Sequence, residues 1–205
     1  MDVRDTYKTI EIPSEEVLYK DKNSKFFGYA FPINNEQDVK IHLNQLKKQH
    51  HSARHWCYGY QLGTSEDNRV HRFNDDGEPN NSAGAPIFGQ IQSYDVTNVL
   101  IVVVRYFGGV KLGVSGLINA YRSAAKLALE QALIIEKTIT LDYVLTFAYK
   151  DMNRVMRIIK EKRINIVKQE LAMDCKIHIS ARLSQADEIF STFQKLYEID
   201  IKSIP

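Results

Sequence analysis

The chain has 205 residues, 44% of them hydrophobic and 25% charged, a composition that fits one large or two small globular domains and excludes long disordered tracts. Lys plus Arg number 27 against 25 for Asp plus Glu, so the net charge of +2 excludes a polycation and leaves any nucleic-acid contact to a local patch. The longest apolar run, Val99 to Val104, is far short of the roughly 20 residues of a membrane-spanning helix, which excludes one.

Met1 to Lys8 lack the charged-then-apolar pattern of a secretory leader. Two cysteines, Cys57 and Cys175, are too few for a disulfide framework, and together these features predict a cytoplasmic protein without membrane attachment. Tyr7–Tyr19 and Ser24–Phe31 read as strands around a turn at Asp21-Lys22-Asn23. Asn34, with Gln37 three residues on, predicts a helix start, and Val39, Leu43 and Leu46 continue one apolar face. Arg54–Leu62 alternates as a strand, with Trp56, Tyr58 and Tyr60 on one face and His55, Cys57 and Gly59 on the other. After a polar loop, Ser82 is placed to cap a short helix. Val99–Tyr106 has the β-branched content of a strand buried on both faces in the middle of a sheet. Ser115 then caps a long helix with Leu117, Ala120, Tyr121, Ala124, Ala125, Ala128 and Leu129 at helical spacing.

All ten glycines lie between Gly28 and Gly116, so elaborate loops are confined to one part of the chain. The boundary falls at Glu136-Lys137-Thr138, dividing residues 1–136 from 137–205. The second part reads as strand Thr140–Tyr149, helix Asp151–Lys162, strands Ile164–Ala172 and Cys175–Leu183, helix Ser184–Tyr197 and strand Ile199–Lys202, with Asp151 and Ser184 as N-caps. That order, βαββαβ, is the ferredoxin-like arrangement, so the fold class is α+β. In the fourth of these elements Cys175, Ile177, Ile179, Ala181 and Leu183 face the helices. Lys176, His178, Ser180 and Arg182 are left on the outer face, with Lys176, His178 and Arg182 a candidate RNA-facing row.

Two loops carry the chemistry. Asp75, Asp76 and Glu78 lie in the run Asn74 to Pro86, and three carboxylates so close repel unless a cation offsets them. They are placed to hold Mg²⁺ or polarise a water, or else to form an acidic turn leading into a helix. The run Arg105 to Gly116 joins the buried strand to a helix N-terminus. Its free N–H groups, with Arg105, Gly108, Gly109, Lys111, Gly113, Ser115 and Gly116, make a candidate anion or phosphate site. The alternative is an architectural loop whose cations pair with the acidic one. Gly108 and Gly113 have P-loop spacing, but Val114 stands where lysine is required, and neither G-x-G-x-x-G nor G-x-S-x-G is present. His55 and Cys57 share a strand face but lack the further ligands a zinc site needs, so no metal site is assigned and Cys57 reads as a packed thiol. His55 is placed to meet a ligand at the cleft, and His50-His51 to cap helix carbonyls.

With these residues identified, the sequence resembles the IMPACT/YigZ family, which is tied to translational control. The resemblance runs over nearly the whole chain. It is strongest from His55 to Leu129, in Asp75-Asp76-Gly77-Glu78-Pro79, Ser82-Ala83-Gly84, Arg105-Tyr106-Phe107-Gly108-Gly109, Lys111-Leu112-Gly113, Gly116-Leu117 and Ala120-Tyr121, and Ser24-Lys25-Phe26 also fits. It implies an N-terminal domain folded like the second domain of ribosomal protein S5 and a C-terminal domain like the last domain of the translocation elongation factor G. Eukaryotic members carry a further N-terminal partner-binding domain, which this sequence is expected to lack. Asn80-Asn81 replaces the family's common Ser-Gly, Ser82 its usual threonine and Ala85 a frequent basic residue.

The leading expectation is a non-enzymatic module associated with RNA or the ribosome in the regulation of translation, without a cofactor and with a monomer favoured. The alternative is a metal-assisted hydrolase or phosphotransferase using Mg²⁺ between the two loops. A third reading is a protein adaptor presenting Trp56, Tyr58 and Tyr60.

Overall fold

The computed structural model describes residues 5–204, so residues 1–4 of the stretch read for a leader lie outside the described part. The architecture is mixed α/β, with five helices and three sheets among the described residues, in two compact units.

The N-terminal unit spans Tyr7–Lys137. Its elements are β1 (Thr6–Ile10), β2 (Val17–Asp21), β3 (Ser24–Pro32), α1 (Glu36–Gln49), β4 (His55–Leu62), β5 (Val70–Asn74), α2 (Gly84–Ser93), β6 (Val99–Tyr106), α3 (Gly113–Gln131) and β7 (Ile134–Thr138). Five strands form an antiparallel sheet in the order β2-β3-β6-β4-β5, while β1 pairs with β7. The run Val99 to Val104 occupies the middle strand because only there are both faces covered, and all six residues are fully buried. Val99, Ile101 and Val103 face α2 and α3, whereas Leu100, Val102 and Val104 pack with Val39 and Leu46 of α1. Of the aromatic stripe of β4, Tyr60 is buried in this second core and bonded to Glu36 at 2.6 Å, while Trp56 and Tyr58 are half-buried against it, Trp56 lying under Lys47. Of the three rings of the adaptor reading, Tyr60 is closed off, while Trp56 and Tyr58 keep partial exposure. On the opposite face the alanines of α3 let it lie directly on β3, and a Cβ at Gly28 would sit 2.6 Å from the Ala124 carbonyl oxygen.

Other differences from the sequence expectation have local causes. Tyr7–Tyr19 is two strands rather than one, because Pro13 has no N–H to continue a ladder and Ser14 instead exchanges two bonds with Ala30. Asn35, not Asn34, caps α1, its Oδ1 accepting from the N–H groups of Gln37 and Asp38. His50 does end α1, but its ring turns inward instead of capping carbonyls. Its Nε2 lies 2.5 Å from the Tyr29 hydroxyl and its Nδ1 3.1 Å from that of Tyr106, while Tyr29 also donates to Glu16. The unanticipated β5 is an exposed edge strand without clear alternation.

The C-terminal unit is formed by the chain from Thr138 onward together with the segment ending at Thr6. It contains β8 (Thr140–Ala148), α4 (Met152–Glu161), β9 (Asn165–Glu170), β10 (Asp174–Arg182), α5 (Leu183–Gln194) and β11 (Ile199–Ile204), the strands forming an antiparallel sheet in the order β11-β8-β10-β9. Cys175, Ile177, Ile179 and Ala181 of β10 are buried against the helices. Neither Asp151 nor Ser184 caps a helix through its side chain. Ser184 instead donates to Asp5 at 2.6 Å, Asp5 also meets Arg182 at 3.4 Å, and the Ile139 N–H donates to the Asp5 carbonyl. These bonds hold the segment before Tyr7 to this unit, although a division at 1–136 gives it to the other.

Gly28→Ala is expected to destabilise the protein by about 1–3 kcal/mol through overpacking against the α3 backbone, read as a lower urea midpoint. Burial holds both His50 and His42 below the ordinary histidine range. The unfolded chain therefore binds more protons as pH falls below about 6.5, so stability is full above that value and declines as acid is added. Urea titrations between about pH 7 and pH 5 check this, and His50→Asn should flatten the decline.

Candidate functional site

The two loops meet at one end of the five-stranded sheet. Register places His55 of β4 and Phe26 of β3 opposite Arg105, the last buried residue of β6. Arg105 points to the α3 side, where its guanidinium is 2.5 Å from Glu78, and both side chains are almost fully buried. The Tyr121 hydroxyl of α3 donates to the same carboxylate oxygen at 2.8 Å. Arg105 also lies over the Phe26 ring and near that of Phe107. A buried ion pair persists when further hydrogen bonds and polarisable faces replace the lost water, and Tyr121, Phe26 and Phe107 supply them here. The pairing of loop cations with the acidic loop is found for Arg105, whereas Lys111 forms no ion pair among the described residues and is exposed.

The other two acids are engaged by backbone. Asp75 Oδ1 accepts from the N–H groups of Ala83 and Gly84, at 3.0 and 2.8 Å, and Oδ2 accepts from Asn81. Asp75 thus caps α2 from eight residues upstream, a role the sequence reading gave to Ser82, whose hydroxyl donates to the Pro79 carbonyl. Asn81 adopts left-handed backbone with φ 59°, which asparagine tolerates. Asp76 accepts from the Trp56 N–H through its side chain at 2.7 Å, and its carbonyl meets His55 Nδ1 at 2.9 Å. His55 therefore holds the acidic loop to the sheet. Cys57 lies wholly buried beneath it, its thiol donating to the Asp75 carbonyl at 3.0 Å, and desolvation pushes its pKa well up. Among the described residues no group of three or more His, Cys, Asp and Glu is placed to hold a metal ion.

The glycine loop contributes an open surface beside this latch. Gly108 packs on the β2–β3 turn so closely that a Cβ would lie 2.1 Å from the Asn23 backbone, and its N–H donates to Ser24. Beyond it, a cavity of about 380 Å³ is lined by Glu78, Arg105, Phe107, Lys111 and the first turn of α3. That turn starts at Gly113, not at a Ser115 cap. It carries no acidic residue and no side-chain cap, so its N–H groups have no internal acceptor. Lys111, Gly113 and Ser115 are exposed and Gly109 is exposed with φ 87°, whereas Arg105 is only 6% exposed. The structure thus brings Lys111 and the helix start together at the cavity, with the charge of Arg105 already matched. Lys176, His178 and Arg182 lie on the outer face of β10 in the other unit, Arg182 being paired with Asp5. Sequence reasoning missed Tyr121 as a polar partner, because at helical spacing it reads as one more apolar residue of α3.

The family model described as the Impact N-terminal domain matches residues 22–129, more than half of the chain. The chain belongs to the IMPACT family. It is 29% identical over 187 residues to an IMPACT family member of Haemophilus influenzae, covering 88% of each chain. To the IMPACT family member YigZ of Escherichia coli it is 32% identical over 139 residues, 68% of each. The match to Protein IMPACT of Danio rerio is 38% over 96 residues, 45% of this chain and 30% of that protein. The fold is shared with a crystal structure described as a hypothetical protein, at a TM-score of 0.71 and 23% identity, over 99% of both chains.

Removing one partner of the buried pair leaves an uncompensated charge, so Glu78→Ala should cost about 3–5 kcal/mol. Asp75→Ala should cost about 2 kcal/mol through the lost cap. Urea unfolding of both variants, with Tyr121→Phe as the milder control, checks the order.

Proposed function

We propose that the protein is a non-enzymatic module that associates with RNA or the ribosome in the regulation of translation, as the family resemblance implies. Its anion seat is Lys111 with the open first turn of α3. The observation that carries this reading is the cavity beside the Glu78–Arg105 pair, where an exposed lysine and uncapped N–H groups converge without an acidic neighbour left unmatched. The hydrolase and phosphotransferase alternative draws no support from the acidic loop, since Asp75, Asp76 and Glu78 already serve backbone N–H groups or Arg105. This reading assigns no Mg²⁺ or other cofactor, takes the chain as a cytoplasmic monomer, and keeps Lys176 and His178 as a second RNA-facing area.

The same reading takes the N-terminal unit as related to the second domain of ribosomal protein S5 and the C-terminal unit as ferredoxin-like. The strand order β11-β8-β10-β9 with helices after β8 and β10 supports the latter.

Ribosome co-sedimentation from a cell lysate tests the function. Wild type should co-sediment at low salt and be released as salt rises, and Lys111→Ala should reduce the bound fraction several-fold. Absence of wild-type protein from the ribosomal pellet at low salt would overturn the proposal.

A further inference from the structure

Around Phe107 the sheet end carries positive charge on more than the glycine loop. Lys25 of β3 stands opposite Tyr106 in the ladder, one residue from Phe107. Arg54, just before β4, lines a second cavity of about 240 Å³ with Phe107, Arg105, Tyr106 and Ser52. Lys111 lines the first cavity with Phe107 on the α3 side. Lys25, Arg54 and Lys111 are all exposed, and no ion pair between any of them and a carboxylate is seen among the described residues. Of the nearby acids, Glu78 is matched by Arg105, and Asp75 and Asp76 direct their carboxylates at backbone N–H groups, so none of the three forms an ion pair with these rim cations. Together with Arg105, Phe107 lines both concavities. Its ring is 56% exposed and has the Arg105 guanidinium 5.6 Å from its centroid.

We infer that this sheet end is a single-stranded RNA track, in which an unpaired base stacks on Phe107 while Lys111, Lys25 and Arg54 hold the phosphates on either side. The inference rests on the RNA reading above for the class of partner; the strandedness and the residues come from the geometry here. An exposed aromatic ring flanked by uncompensated cations is the combination that binds single strands, because every base offers a stacking face and the backbone charge is regular. A continuous duplex keeps its bases stacked on one another and presents none to a protruding ring. The two cavities that share Phe107 give the neighbouring nucleotides room beside the ring, which a flat basic face lacks.

The test is binding of a fluorescent 12-nucleotide RNA and of its duplex by anisotropy across a salt series, with the whole chain. The single strand should bind more tightly than the duplex. Phe107→Ala should weaken the single strand on the order of ten-fold with an unchanged salt slope, and Phe107→Trp should restore it. Lys25→Ala and Arg54→Ala should each lower the slope of log affinity against log salt by about 0.7. Equal binding of strand and duplex, or wild-type affinity in Phe107→Ala, overturns the track. If wild type pellets with ribosomes in a Lys111-dependent way yet Phe107→Ala does so equally well and the free RNA is not bound, the track fails while the translation role stands. If neither assay shows binding, both fail.

Discussion

The buried pair between Glu78 and Arg105 is the constraint around which the rest of the N-terminal unit is arranged. Placing two opposite charges in a dry site is costly, and the contacts that offset the cost reach into four separate elements, while the Arg105 Nε is left buried without a hydrogen-bond partner among the described residues. Tyr121 must come from α3, Phe26 from β3, Arg105 from the end of β6, and Glu78 from a loop that would otherwise repel itself. The small residues of α3 and the absent side chain at Gly28 follow from the same demand, since the helix has to lie close enough for its tyrosine to reach the carboxylate.

Such a latch converts a run of acidic residues into a rigid support instead of a reactive cluster. Asp75 fixes the start of α2, Asp76 fixes the start of β4, and Glu78 neutralises the strand-end arginine. What is left facing solvent is the other half of the charge balance: lysines and an arginine at the rim, and the bare start of α3. In a chain with a net charge of only +2, Lys25, Arg54 and Lys111 thereby stand exposed near one end of the sheet. The burial of Glu78 with Arg105, leaving the other cations outside, is a property of three-dimensional arrangement and is invisible to composition.

Much of the architecture was legible beforehand because it depends on periodicity. The β-branched run at Val99–Val104 announced a central strand, the alternation from Cys175 to Ala181 marked one buried face, and the alanine spacing of α3 announced close helix packing. The pairing of the two loops was foreseeable from charge alone, since each cluster needs the other. What escaped were features set by distant partners. Asp75 caps a helix that begins nine residues later, so a rule searching the adjacent serine picks the wrong residue. His50 reads as a helix-end base but is drawn inward by two tyrosines from separate strands. The edge strand β5 exists because β4 offers it a ladder, not because its own residues alternate.

Cys57 lies at the base of this arrangement with no accessible surface, its sulfur held by the Asp75 carbonyl and the Tyr121 hydroxyl, and its ionisation suppressed by the same dry surroundings. A thiol so enclosed reacts with an alkylating reagent only in those moments when the loop above it lifts away. The rate of its labelling is accordingly a clock for local opening, built into the native chain and needing no attached probe.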